Sequence, residues 1–248
     1  MSQNPNQDLQ LYPAVVGTIS EDAVHSAFLG RELGADILEI RYDLILGDLM
    51  SKFDEKMVKK ECVSMIRKIR ETGLPIIATF RSKSEGGQMD LSVRDQFKWI
   101  HFITPHVDFV DLEWSSPKSK IKKSVELAQK SQTQVIISSH YFDKMPSQKA
   151  MVKMLTGSQK AGADISKIAV SPKNEADVLK LFEAGLASQD AEANVCLIAM
   201  GGPFRYSRII APVFGSVLSY GYITAPVAPG QLRVDEVKNG FRSLNLRS

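Results

Sequence analysis

Cysteine is nearly absent from this chain: 248 residues hold two, Cys62 and Cys196, without CxxC spacing. So few thiols exclude a disulfide framework, and a reduced cytoplasm is the simplest compartment. No apolar run approaches the roughly 20 residues that span a bilayer. Met1 to Gln10 are polar, without a basic n-region or an apolar h-region. That argues against a secretory signal and makes 1–11 a flexible N-terminus. Charge of one sign is scarce too, with 31 Lys plus Arg against 28 Asp plus Glu and a net charge of +3. An excess this small gives no footprint for nucleic acid or an anionic membrane. Walker A, GxSxG and HExxH sequences are missing. The four histidines, His25, His101, His106 and His140, lack metal-ligand spacing. No metal site and no cofactor are therefore expected.

What is present is an ordinary globular balance, 44% apolar and 24% charged. Short β-branched runs alternate with longer amphipathic ones. The strand candidates are Pro13–Ile19, Asp36–Asp43, Pro75–Arg81, Val107–Trp114, Thr133–His140, Asp164–Ser171, Asn194–Met200 and Ser216–Ile223. Helical patterns cover Ala23–Leu33, Asp54–Thr72, Ser92–Phe102, Pro117–Ser131, Ser147–Ala161, Asn174–Ala187, Tyr206–Ala211 and Val234–Phe241. Ser20, Ser92, Ser147 and Asn174 suit helix starts; Gly34, Gly73 and Gly162 suit stops. The alternation predicts parallel βαβ units, and ~250 residues is the usual size of a (β/α)8 TIM barrel. A single α/β domain over 1–248 follows. The runner-up, a doubly wound sheet, would carry a glycine-rich turn after its first strand. Gly17-Thr18-Ile19-Ser20-Glu21 is not one.

Strands buried on both faces should be nearly continuous apolar runs. Here polar residues interrupt them at their C-terminal ends: Glu39 and Arg41; Arg81, then Glu85-Gly86-Gly87; Asp111 and Glu113; Ser138, Ser139 and His140; and Lys167. Strand seven ends at Met200, with Ser207-Arg208 beyond. Alternation places Glu39 and Arg41 on one face, opposite Leu38 and Ile40. The apolar pair should face helices and the charged pair the barrel mouth, where such folds hold their sites. Lys167, sharing a face with Ile165 and Ala169, is the most informative. An amine in such a run is costly to bury unless used, and desolvation favours its free, nucleophilic form. Blander alternatives stand beside these. Glu39 with Arg41 makes an interior ion pair, Arg81 with Glu85 a surface pair, and His140 a satisfied strand-end histidine. Met200 reads as packing. An amine, an imidazole, carboxylates and arginines together suggest a small, anionic, carbonyl-containing substrate.

These residues resemble a known family, the type I 3-dehydroquinate dehydratases of the shikimate pathway, over nearly the whole chain. The markers are Glu39-Ile40-Arg41-Tyr42-Asp43, Arg81 with Glu85-Gly86-Gly87, and Ile137-Ser138-Ser139-His140-Tyr141-Phe142. Further along stand Gly162 to Ala169 around Lys167, Met200-Gly201 with Ser207-Arg208, Phe214-Gly215-Ser216, and Ala228-Pro229-Gly230-Gln231. The resemblance implies a cofactor-free, metal-free syn dehydration of 3-dehydroquinate. Lys167 would form an iminium with the C3 ketone, and His140 would act as general base and acid, oriented by Glu85. Arg208 would pair with the substrate carboxylate, Glu39, Arg41, Arg81 and Gln231 would hold the hydroxyls and the carboxylate end, and Met200 would pack on the ring. Thr224–Gln231 would be a lid. The small molecule is the expected partner, and a homodimer is admitted.

Four departures from the family pattern stand out. Val227 replaces a serine before Ala228, with Thr224 as a substitute donor. Tyr141 replaces an acidic residue, and Phe204 a glycine. The N-terminal segment is too short for an additional hairpin below the barrel. Two alternatives compete: another class I Schiff-base barrel enzyme such as an aldolase, or a catalytically impaired ligand-binding relative.

Overall fold

The computed structural model describes residues 13–189 and 194–246. The flexible stretch expected over 1–11, and any hairpin before the barrel, lie outside the described residues. The chain runs β1 (Ala14–Ile19), α1 (Ala23–Glu32), β2 (Ile37–Arg41), α2 (Tyr42–Lys52), α3 (Glu55–Ile69), β3 (Ile76–Thr79), α4 (Val93–Ile103), β4 (Phe109–Glu113) and α5 (Lys118–Ser131). It continues with β5 (Gln134–Tyr141), α6 (Gln148–Lys160), β6 (Ile165–Val170), α7 (Glu175–Gln189), β7 (Val195–Ala199), α8 (Ser207–Ile210), β8 (Leu218–Tyr222), β9 (Leu232–Arg233) and α9 (Val234–Ser243).

Caps explain most boundaries. The side chains of Asp54, Ser92, Ser147 and Asn174 accept backbone N–H groups from the first turns of α3, α4, α6 and α7. Ser20 does not cap α1; its N-cap is Asp22, with φ 35° and no side-chain cap bond. The expected strand Asp36–Asp43 is too long, because Tyr42 already opens α2, a helix the alternation did not reveal. No loop separates β2 from α2, so no turn or cap marks the junction. Tertiary contact decides it: Tyr42 is fully buried and stacks on Phe80 with ring centroids 4.7 Å apart.

β1 to β8 form one parallel sheet with β7 and β8 at opposite ends of its order, and β9 added beside β8. The ring closes between β7 and β8 through a single bridge from Val195 to Ser216. Val217 N donates to Val195 O at 2.8 Å, and Ser216 Oγ accepts from Leu197 N at 3.0 Å. This is the TIM barrel expected from the alternation. No helix among the described residues is long and apolar enough to cross a membrane.

The period of two then sorts side chains. Leu38, Ile40, Ile76, Ala78, Leu112 and Ile137 pack outward with Ala27, Cys62, Ile66 and Phe97 of the helices. Each large aliphatic so buried contributes ~1.5–3 kcal/mol. The other face fills the barrel. Val16, Ile37, Ile77, Phe109, Ile136, Ile165, Cys196 and Leu218 form an apolar interior layer. Two residues further along the same strands stand Thr18, Glu39, Thr79, Asp111, Ser138 and Lys167, all buried. The barrel interior is therefore apolar below and mostly polar above.

Candidate active site

Lys167 sits in the middle of β6 and is 3% exposed. Its Nζ donates to Asp111 Oδ2 at 3.2 Å and lies 3.9 Å from Glu39 Oε1. Its surroundings are thus not the apolar run that its own strand suggests: two carboxylates from β4 and β2 reach it across the barrel. Glu39 is held in turn by the hydroxyls of Thr18 at 3.2 Å and Thr79 at 2.8 Å.

Arg81, just beyond β3, ties the acids together. Its Nη1 donates to Glu113 at 3.2 Å and Ser138 Oγ at 2.9 Å; its Nη2 donates to Asp111 at 3.0 Å. Burial opposes its charge, but Asp111, Glu113 and Glu85 outweigh that and hold the guanidinium above its ordinary range. Burial likewise opposes ionisation of Asp111, yet Arg81 and Lys167 keep its carboxyl below the usual value.

After Arg81 the chain turns back sharply. Gly86 takes φ 85°, and a Cβ on Gly87 would stand 2.0 Å from the Arg81 carbonyl oxygen, so only glycine allows this return. The turn places Glu85 under His140. Glu85 Oε2 meets His140 Nδ1 at 2.8 Å, and Oε1 accepts from Ser115 Oγ at 2.5 Å. Burial first, then Glu113, pushes the Glu85 carboxyl up to about 7. Burial, aided by Arg81 and Lys167, holds His140 well below its ordinary 6.5, so the imidazole is neutral.

Arg208 on α8 is 3% exposed and, among the described residues, its side chain meets only backbone oxygens. It donates to Gly230 O at 3.1 Å, Tyr220 O at 3.3 Å and Pro229 O at 3.5 Å. No carboxylate among the described residues pairs with it, and burial lowers it to about 10. A buried guanidinium without a counter-ion is a site for an anion. Two of the three carbonyls it holds, those of Pro229 and Gly230, belong to the 224–231 segment, where a Cβ on Gly230 would lie 2.2 Å from Gly201 O. Gln231 Oε1 accepts from Val227 N at 2.9 Å, and Nε2 donates to Thr18 Oγ1 at 3.3 Å.

A cavity of about 190 Å³ opens among these groups, and Glu39, Arg41, Arg81, Glu85, His140, Lys167, Met200, Arg208 and Gln231 all line it. The nine residues singled out from sequence thus meet at one place. The two blander pairings do not form as read. Glu39 and Arg41 do not pair with each other; Arg41 instead makes a bidentate contact with Asp43 at 2.8 and 2.7 Å. Arg81 and Glu85 do approach to 3.7 Å, but buried rather than on a surface. The polar strand ends Asp111, Glu113 and Ser138 were visible in sequence but carried no assigned role. Thr18, Ser115 and Tyr220 gave no sequence signal, since isolated polar or aromatic residues are ordinary in strands and loops. Among the described residues no cluster of His, Cys, Asp or Glu suits a metal ion.

Residues 14–248 match the family model for type I 3-dehydroquinase. The chain belongs to this family. A 3-dehydroquinate dehydratase of Methanosarcina acetivorans is 40% identical over 96% of this chain and 97% of its own. That of Methanococcoides burtonii is 37% identical over 96% and 97%. The crystal structure of the Geobacillus kaustophilus 3-dehydroquinate dehydratase superposes with a TM-score of 0.85 at 26% identity, covering 95% of this chain and 92% of that one. The type I enzyme of Clostridium difficile, with covalent modified comenic acid, gives 0.83 at 31% identity over 94% and 92%. This type I 3-dehydroquinase is accordingly an enzyme, a hydro-lyase.

Its departures from the family pattern find places in the structure. Phe204 is 8% exposed and packs in the cluster around Phe182 and Leu197, so its ring is core. Tyr141 is half-buried against the same cluster. Val227 lines the cavity. Thr224 is exposed and does not line it.

Proposed function

We propose that this hydro-lyase dehydrates 3-dehydroquinate to 3-dehydroshikimate through a Lys167 Schiff base, with His140 as acid and base. The observation that carries this reading is a buried amine and an imidazole lining one cavity, beside a buried arginine with no carboxylate partner among the described residues. Nζ adds to the C3 ketone, and the oxygen leaves as water, so that the nitrogen becomes an iminium and an electron sink. In the interior stacking, His140 lies one layer above Lys167, since Ser138 pairs with Lys167 and His140 with Ala169. With Nδ1–H donated to an ionised Glu85, His140 keeps Nε2 free to take the C2 proton. The same imidazolium then protonates the departing C1 hydroxyl on the same face, and water releases the product from Lys167.

Arg208 receives the substrate carboxylate, where a planar fork suits a bidentate contact. Glu39, Arg41, Arg81 and Gln231 hold the remaining oxygens, Met200 packs on the ring, and the lid excludes water. The direct test is ultraviolet absorbance of the conjugated product when the protein meets 3-dehydroquinate. No absorbance at any pH between 6 and 9 would refute the reading.

The Glu85–His140 pair makes the reaction pH-dependent. Below about 7 Glu85 is protonated. Its O–H then donates to Nδ1, which moves the imidazole proton to Nε2 and removes the base. kcat/KM is expected to fall with unit slope below about pH 7, the pair titrating together. In Glu85→Gln the amide oxygen accepts from Nδ1–H at every pH, so this limb should vanish. A limb that stays in place in the variant would exclude the tautomer control.

Val227 gives a milder expectation. A serine there would add one donor to the substrate, worth ~0.5–1.5 kcal/mol net, or up to about tenfold in binding. Val227→Ser should lower KM severalfold with kcat nearly constant, and Thr224→Val should change neither. Unchanged KM in Val227→Ser would show that the lid does not contact substrate there.

A further inference from the structure

Tyr220 on β8 is 4% exposed, and its hydroxyl is buried with no hydrogen-bond partner among the described residues. Burial first, then Glu39, raises the phenol well above its ordinary 10, so it stays un-ionised. What Tyr220 presents to the cavity is its ring. The Lys167 Nζ stands over that ring, 4.0 Å from the centroid, well within the reach of a cation–π contact.

We propose that Tyr220 is a further catalytic residue, whose π face holds the positive charge on the Lys167 nitrogen as that nitrogen becomes the iminium. The proposal rests on the Schiff-base reading above. Ammonium and ketone give iminium and water: loss of one proton frees the lone pair that adds to C3, a second proton follows, and both depart with the ketone oxygen as water. The nitrogen keeps its charge but falls from three N–H donors to one. Asp111 and Glu39, at 3.2 and 3.9 Å, face the same nitrogen, and one remaining donor cannot satisfy both. Arg81, bound to Asp111 at 3.0 Å, adds like charge nearby. A ring face needs no N–H to attract a cation. It also cannot remove the last proton, as a carboxylate can. The contact therefore survives the step in which hydrogen bonds are lost.

The test varies the electron density of the ring while keeping its shape. Tyr220→Phe and Phe analogues carrying one, two and three ring fluorines at position 220 are given 3-dehydroquinate and a short borohydride pulse. The fraction of chain with a reduced adduct on Lys167 is read by peptide mass, and circular dichroism confirms folding. Tyr220→Phe, which keeps the ring and loses the unpartnered hydroxyl, is the reference against which the fluorinated series is read. Trapping should then fall with each fluorine, by about twofold to thirtyfold over the series. Trapping indifferent to fluorination, with the parent labelled on Lys167, would overturn the role of Tyr220 alone. A parent with no adduct, or with one on another lysine, would overturn the Schiff base and this proposal with it.

Discussion

Lys167→Ala is expected to lower kcat/KM on the order of 10⁴-fold or more, because the step that creates the electron sink disappears with the amine. The protein should remain folded. Asp111 keeps Arg81 and Ser138 as partners, and Glu39 keeps Thr18 and Thr79. Neither carboxylate is left without donors, and the cavity above them admits water. Turnover by the progress of product absorbance, folding by circular dichroism and adduct formation by borohydride separate the effects. Borohydride with 3-dehydroquinate should inactivate the parent irreversibly and leave the variant unlabelled. Full turnover by Lys167→Ala would remove the amine from the mechanism.

Arg81→Met is expected to be the most damaging substitution for stability. The guanidinium is 5% exposed and is shared by Asp111, Glu113 and Ser138, with Glu85 close by. Methionine fills much of the volume but leaves buried carboxylates uncompensated. Breaking such a buried pair costs ~3–5 kcal/mol, which lowers Tm by roughly 6–20 °C in a chain of this size. The pH dependence has a definite sign. In the parent, Asp111 is held below its ordinary 3.8, so its stabilisation is present above that value and lost as pH falls through the folded value. Without Arg81 the burial of Asp111 raises its pKa, and ionisation becomes a penalty that grows as pH rises. The deficit against the parent should therefore be largest near pH 8 and smaller near pH 5. Adding Asp111→Asn to the variant should recover part of it at pH 8. A Tm loss under about 2 °C at pH 8 would show that the acids are compensated by something other than Arg81.

Much of the site was legible because its residues break a rule that strands otherwise keep. Glu39, Arg41 and His140 interrupt apolar runs at the end where barrels hold their chemistry, Lys167 interrupts one in mid-strand, and the structure gathers all four around one cavity. Glu85-Gly86-Gly87 was legible only as a polar stretch after strand three; the sharp return, with φ of 85° at Gly86, came from the structure. What escaped were features with no local signal. α2 begins without a loop or cap. Tyr220 is one aromatic residue in a strand. Ser115 is one hydroxyl in a loop, yet it shares the carboxylate of Glu85 with His140.

The sequence by itself determined the alternation of elements, hence the barrel, and the face on which each strand residue lies, because a period of two is a property of the backbone alone. It also determined which chemical groups are available. Only the tertiary structure decided which groups meet. Lys167 finds Asp111, Glu39 and the ring of Tyr220 through closure of the sheet between Val195 and Ser216, which brings separate strands to one interior. At Arg81 and Asp111 the charged neighbours outweigh burial, while at Glu85 and His140 burial leads. The environment of the amine was therefore set across the barrel rather than along its strand.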